Sequence, residues 1–131
     1  MAHKLVEAAV EARLRALWSA SPVFVENTEA EPPADGSGYL MLQFPVADAS
    51  RSAINERAYR EEGAFRVVLH VPRDTGVQQI RDQGEAIAAL FCDESFAGVN
   101  CRVPGPTFVG DAVGALSWAS VTIPYDFNFT R

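Results

Sequence analysis

The chain has 131 residues, 48% of them hydrophobic, and a formal net charge of −6. This length predicts a single domain over residues 1–131, with a core that needs no disulfide or metal to fold. The acidic balance argues against general nucleic-acid binding. The sequence has no apolar run of about 20 residues for a membrane span, and the start at Met1 lacks a signal-peptide pattern. We therefore expect synthesis and folding in the cytoplasm.

The first predicted element is a helix over Ala2–Ala20. Apolar residues recur there at steps of three and four, which places them on one face of a helix: Val6, Val10, Leu14 and Leu17. The helix should end at Ser21-Pro22, because the residue before a proline is displaced from the helical region. A short strand, Val23–Val25, follows.

An acidic, proline-containing stretch extends from Glu26 to Gly38. It has the proline and glycine pairs that break regular structure. It lacks the dense, regular pattern of oxygen ligands that a calcium loop requires. The stretch is therefore predicted to be a solvated connection, with a cation site as the less favoured interpretation.

Two further strands are predicted in the middle of the chain. Tyr39–Phe44 is bounded by turn signals and should end at Pro45, whereas Ala64–Val71 places alternate apolar residues on one face. The residues between them, Val46–Gly63, show no clear period and form a long connection. Connections of that length without structure of their own are usually functional or disordered.

A second helix is predicted over Val77–Cys92, with Asp74 or Thr75 as its cap. Gly84 lies on the buried stripe of that helix, where glycine costs about 1 kcal/mol relative to alanine. Close approach of the helix to the sheet would explain its presence.

The last part of the chain reads as strands. A short one covers Gly98–Val103, and the final one alternates apolar and polar residues over Val121–Thr130. The alternation slips between Trp118 and Val121, which predicts a bend or bulge, and Pro124 should lie at an edge or a bulge. The expected class is α+β, a mostly antiparallel sheet with two helices packed on one face.

The sequence contains no catalytic, cofactor-binding or metal-binding motif, so we predict that the protein is not an enzyme and has no cofactor. His3 is expected at the surface, and His70 as a packed or surface residue of a strand. Cys92 and Cys101 lack the spacing of a redox or zinc pair and are expected to be small buried residues rather than a bridge.

The connection before the strand at Ala64 is the best candidate for an interaction surface, because arginine and tyrosine are enriched at interfaces. Its predicted contacts with a neighbouring subunit or a partner are Arg51, Arg57, Tyr59, Arg60, Glu61 and Glu62.

Several phrases of the sequence resemble the phage tail terminator-like family. The resemblance rests mainly on two of them, Gly63–Leu69 and Ser120–Asp126. It extends through Val23–Asn27, Gly38–Leu40 and Ala89–Phe91, and so spans nearly the whole chain.

The resemblance implies a structural virion protein made in the host cytoplasm and located at the head-proximal end of the tail. Such subunits form a ring, typically a hexamer, that caps the tail tube, ends tail polymerisation and joins the tail to the head connector or completion protein. The implied partners are further copies of the chain, the tail tube protein and that connector protein. No membrane contact and no specific nucleic-acid binding are implied, although DNA passes through such a ring, and similar proteins occur in prophages and gene transfer agents.

Three other interpretations stay open from the sequence. Another neck or tail-completion subunit would share the fold. A small-ligand binding domain would show an apolar pocket. An enzyme would need a convergent set of titratable side chains.

Overall fold

The structure, a computed structural model, describes residues 3–26, 38–51, 57–72, 76–110 and 116–130. These residues form two helices and a mostly antiparallel sheet, which confirms the α+β class. The helices are α1 (Lys4–Leu17) and α2 (Val77–Phe91). The strands are β1 (Val23–Val25), β2 (Tyr39–Arg51), β3 (Ala58–Pro72), β4 (Ser95–Phe96), β5 (Val99–Cys101), β6 (Phe108–Val109) and β7 (Leu116–Thr130).

The strands of the described residues form one sheet in the order β1-β2-β3-β7-β5-β4, with β6 paired to β7 outside this path. Only the β1–β2 pair is parallel. The centre of the sheet is the long antiparallel ladder of β3 and β7. It runs without a register shift from the Ala58–Thr130 pair to the Pro72–Leu116 pair.

The core lies on one face of the central strands, where buried apolar side chains alternate with less buried ones. Phe65 pairs with Ile123 and Val67 with Val121, and all four are buried. The helices add their own stripes to the core: Val6, Val10 and Leu14 from α1, and Ile80, Gly84, Ile87 and Phe91 from α2. Leu17 and Val77, predicted on those stripes, are half exposed at the helix ends.

Two contacts tie the helices to each other and to the sheet. The Arg13 Nε of α1 donates a 2.9 Å hydrogen bond to the Leu90 carbonyl of α2. The ring of Phe91 lies edge-on to the ring of Phe65, with centroids 5.0 Å apart. The packing of both helices on one face of the sheet stays a prediction.

Strand β2 does not end at Pro45, as the sequence suggested, but continues to Arg51 through a β-bulge. Gln43 pairs with Arg66 and Val46 with Ala64, so two residues of β2 stand opposite one residue of β3. A bulge is one of the few places where a strand tolerates proline, which has no amide donor. Because of the extra residue, even-numbered residues of β2 lie on the core face before the bulge and odd-numbered residues lie on it beyond the bulge.

A bend or a bulge was predicted between Trp118 and Val121, and the bulge is wrong. The register with β3 is continuous there, and Ala119, not Trp118, is the buried residue that continues the alternation. Trp118 lies on the opposite face, against Gly110 and Phe108.

Pro124 lies one residue beyond the last pair between β5 and β7, which joins Cys101 and Tyr125. Its carbonyl accepts a hydrogen bond from the Arg102 amide, one residue beyond the end of β5. Proline is therefore tolerated there for the reason predicted, a local sheet edge.

Gly84 allows a close approach, but not to the sheet itself. A methyl group at this position would lie 2.5 Å from the Thr107 side chain, in the segment that precedes β6. Helix α2 begins after Gly76, which makes no side-chain cap. The predicted caps Asp74 and Thr75, and residues 27–37 of the acidic stretch, lie outside the described residues.

Candidate interaction surface at the tip of the sheet

The predicted connection between residues 46 and 63 is mostly strand, so that part of the prediction is wrong. β2 extends to Arg51 and β3 begins at Ala58, and the two stay in register from the Val46–Ala64 pair to the Arg51–Tyr59 pair. Together with the end of β7 they form a three-stranded segment, here called the tip: residues 46–51, 58–63 and 125–130. The tip brings together Arg51 and the β3 members of the predicted interface, with Arg57 immediately before β3.

The two faces of the tip carry different side chains, because successive residues of a strand point to opposite sides. Tyr59 and Glu61 lie on the face that continues the core. Arg60 and Glu62 lie on the outer face.

Glu61 is a buried carboxylate at the core face of the tip, only 5% exposed. The Tyr125 hydroxyl donates a 2.7 Å hydrogen bond to Glu61 Oε2, and the His3 backbone amide lies 3.1 and 3.2 Å from the two carboxylate oxygens. Burial, and then the hydrogen bond and charge of Glu61, raise the pKa of the Tyr125 hydroxyl far above its usual value. These bonds satisfy a charged group that would be costly to bury alone.

Gly63 provides the space for this arrangement. A methyl group on Gly63 would overlap the Val46 carbonyl oxygen and lie 3.0 Å from the Tyr125 hydroxyl. The absence of a side chain therefore lets β2 approach at its bulge and lets the tyrosine reach Glu61.

An aromatic group covers the core face of the tip. The Tyr59 ring stacks on Phe129 at 5.5 Å, and Phe129 stacks on Phe127 at 6.0 Å. His3, expected at the surface, is half-buried, with its ring 5.3 Å from Phe127 and 4.8 Å from Phe129. Its Nδ1 accepts a hydrogen bond from the Leu5 amide, which caps α1 and fixes the start of the helix on the tip.

The outer face of the tip is organised around Asp126, which is 8% exposed. Its Oδ2 lies 3.3 Å from a guanidinium nitrogen of Arg60 and 3.3 Å from one of Arg102, while Asn100 donates a 3.0 Å bond to Oδ1. Arg60 also binds Glu62 at 3.0 Å. Arg60 and Glu62 are thus held by contacts within the chain.

The sequence alone did not identify Asp126, Arg102 or Tyr125 as members of this surface. The one available signal was polar residues alternating with apolar ones in the last strand. Arg57, in contrast, is exposed and has no hydrogen bond or ion pair with another described residue.

Within the described ranges, the other titratable groups do not converge on a site. His70 stacks on Tyr39 with ring centroids 4.3 Å apart, and burial lowers its pKa. It borders an open cleft of about 460 Å³ that Trp18 and Pro22 also line. Among the described residues, no group of three histidines, cysteines or carboxylates is placed to hold a metal, and no helix is both long and apolar enough to span a membrane.

The cysteines differ in environment, and the described residues form no disulfide. Cys101 is buried, as predicted, and burial raises the pKa of its thiol to about 12. Cys92 is exposed, which corrects the expectation that both are buried. It is the C-cap of α2 and directly follows the buried Phe91, but its own side chain lies on the solvent side.

Comparison with known proteins places this fold in a family. Comparison with solved structures finds 22 similar chains. One of them aligns over 100% of this chain and 99% of its own length, with a TM-score of 0.64 and 30% sequence identity. No curated protein matches.

A family model described as phage tail terminator protein matches residues 5–125. Proteins of this kind are structural components of the virion tail and interact with other tail or head proteins. The match covers almost the whole chain, and the chain therefore belongs to the phage tail terminator family.

Proposed function

We propose that this chain forms a closed ring, a hexamer, that caps the head-proximal end of the tail tube. The ring ends tail polymerisation on one face and receives the head connector or completion protein on the other. The observation that carries this proposal is the family match over residues 5–125. Closed rings arise when a head-to-tail contact repeats by rotation, so each subunit needs two different contact surfaces.

The tip supplies one of these surfaces in the proposal. Arg57, beside the start of β3, is an exposed cation without a partner among the described residues. Arg51 and Tyr59 lie beside it, with the Arg51 guanidinium 5.9 Å from the centre of the Tyr59 ring. Arginine and tyrosine at an exposed position are typical of interface anchors.

The remaining members of the predicted interface have a supporting role in this proposal. Arg60 and Glu62 are bound into the Asp126 network, and Glu61 is hydrogen-bonded inside the tip. These contacts hold the tip in the shape that it presents to a neighbour.

The experiment is the solution mass by light scattering after size exclusion, for the protein alone and after mixing with the cognate tail tube protein. A species of hexamer size, alone or on tube ends, is expected. A protein that stays monomeric and leaves tube length unchanged at every concentration would contradict the ring and the capping role. Binding to a neck protein without any effect on tube length would favour another neck subunit instead.

A further inference from the structure

The outer edge of β2 beyond the bulge has backbone groups, at Ala47 and Ala49, without a partner in the part of the chain that the structure describes. Strand β1 covers β2 only as far as the Val25–Leu42 pair, and Glu26 closes that ladder by bonding Leu42 and Phe44. From Pro45 to Arg51, no other described strand lies beside the outer side of β2.

The register shows which backbone groups point outward there. The carbonyls of Thr122 and Pro124 in β7 accept hydrogen bonds from the amides of Gly105 and Arg102. The backbone groups of even-numbered β7 residues therefore point away from β3. In an antiparallel ladder the amide and carbonyl of one residue point to the same side. Odd-numbered residues of β3 therefore bond to β7, and its even-numbered residues, such as Glu62, bond to β2.

Beyond the bulge, Asp48 and Ser50 pair with Glu62 and Arg60, so their backbone groups face β3. The amides and carbonyls of Ala47 and Ala49 consequently point outward, and neither residue has a further hydrogen bond in the described structure. An open edge of this kind is a template for an added strand.

Side chains at this edge indicate what the added strand should look like. Ala47, which packs against the core, and the exposed Ala49 are small and lie on the core face, so large apolar side chains of an added strand would extend the core beside them. Asp48 is exposed on the outer face and forms no ion pair or hydrogen bond with a described residue. A strand with basic residues on one side and bulky apolar residues on the other would complement both faces.

A second copy of the chain fits this edge poorly. Antiparallel pairing of two β2 edges would bring the Asp48 carboxylates of both copies together on one face, either directly opposite or as close neighbours, and like charges there are destabilising. Pairing β2 with the free side of a neighbour's β7 is obstructed, because β5 already occupies β7 up to the Val99–Phe127 pair.

We propose that the edge formed by Ala47, Asp48 and Ala49 binds an extended segment of another virion protein by strand addition, and that this segment alternates basic and bulky apolar residues. The assignment of the partner to the virion rests on the proposed function, whereas the strand-binding chemistry does not. A ring could fail to form and the edge would still bind its strand.

The experiment measures amide hydrogen exchange at Ala47 and Ala49 with a synthetic eight-residue peptide of alternating lysine and valine. The free protein should show fast exchange at these two amides and slow exchange at Asp48 and Ser50, which bond to β3. The peptide should slow Ala47 and Ala49 by at least about tenfold, the protection given by a closed ladder. A peptide of alternating glutamate and valine should give much less protection.

Two variants make the test specific. Ala49→Pro removes an outward amide without touching the β3 ladder and should abolish protection at Ala47, whereas Ala49→Val keeps the amide and should preserve it. Asp48→Asn should remove the preference for the lysine peptide. Unchanged exchange with peptide, or equal protection by both peptides, would overturn the proposal. Protection of Ala47 and Ala49 in concentrated protein without peptide would show that a second copy binds instead.

Discussion

The Tyr125 hydroxyl donates a 2.7 Å hydrogen bond to the buried Glu61 carboxylate across 64 residues of sequence. This bond links the last strand to the tip of β3. Glu61 also accepts the first described amide of the chain, that of His3. The start of α1, the tip end of β3 and the last strand β7 are therefore joined by hydrogen bonds to one carboxylate.

Replacing Tyr125 with phenylalanine should destabilise the protein by about 1–3 kcal/mol, because a buried carboxylate loses one of its donors. Urea unfolding of the wild type and the variant gives this value. Tyr39→Phe is the matched control, since its hydroxyl has no hydrogen bond in the described structure, and it should change stability little. Equal effects of the two variants would contradict the role of the bond.

The same tyrosine predicts an alkaline loss of stability. Its pKa is raised in the folded state, so above about pH 10, the ordinary value for tyrosine, the folded state holds a proton that the unfolded state has lost. Stability should therefore fall as the pH rises above 10. Tyr125→Phe should show a smaller fall between pH 9 and 11 in urea unfolding, and an unchanged fall would refute the assignment.

His70 predicts the opposite dependence on the acid side. Burial lowers its pKa, so below about pH 6.5 the unfolded state binds a proton that the folded state does not. Stability should fall as the pH drops from 7 towards 5. His70→Phe keeps a ring for Tyr39 to stack on and should reduce this loss of stability in acid. The contrary result would be an equal fall of the urea midpoint in both proteins between pH 7 and 5.

Gly84→Ala should destabilise the protein, although alanine is the better helix former by about 1 kcal/mol. The new methyl group would meet the Thr107 side chain at 2.5 Å. Removing the γ atoms of that residue with Thr107→Ala should recover much of the loss. A double-mutant cycle by thermal unfolding checks this, and additive effects of the two changes would exclude the close contact as the cause.

Alanine variants of Arg57 and Arg60 should have different effects, one on assembly and the other on stability. Arg57→Ala should weaken assembly and leave the unfolding free energy within about 0.5 kcal/mol, as for other exposed positions. Arg60→Ala should lower stability, because it removes a partner of the nearly buried Asp126. Arg81→Ala, which removes an exposed charge from α2, is the control. Loss of assembly in that control, or none in Arg57→Ala, would argue against the tip as an interface.

The sequence predicted the elements that contact the core and missed those that do not. Phe65, Val67 and Val121 alternate with polar residues because one face of their strands is buried, and that period is visible in a single sequence. Residues 46–51 have no such period, since most of them are exposed on both faces, so local pattern predicts an irregular connection where the second half of β2 lies.

The members of the predicted interface could not be sorted from the sequence for a related reason. Arginine and tyrosine content favoured this segment as an interface, which stays a prediction, and could not show which members form contacts within the chain. The contacts of Arg60 and Arg102 with Asp126, and of Glu61 with Tyr125, depend on the register of β3, β5 and β7. Register between strands so far apart in sequence is set by the folded sheet and cannot be read from local pattern.

The β3–β7 ladder also has a consequence for biosynthesis. Its 15 consecutive pairs join strands that are separated by α2 and three short strands, so the centre of the sheet cannot close until residues 116–130 have left the ribosome. Until then the backbone of β3 is unpaired along the whole side that later bonds to β7. Pairing between distant segments is slow, and unpaired strands associate readily. Nascent chains of this protein should therefore depend on chaperones until the final strand arrives.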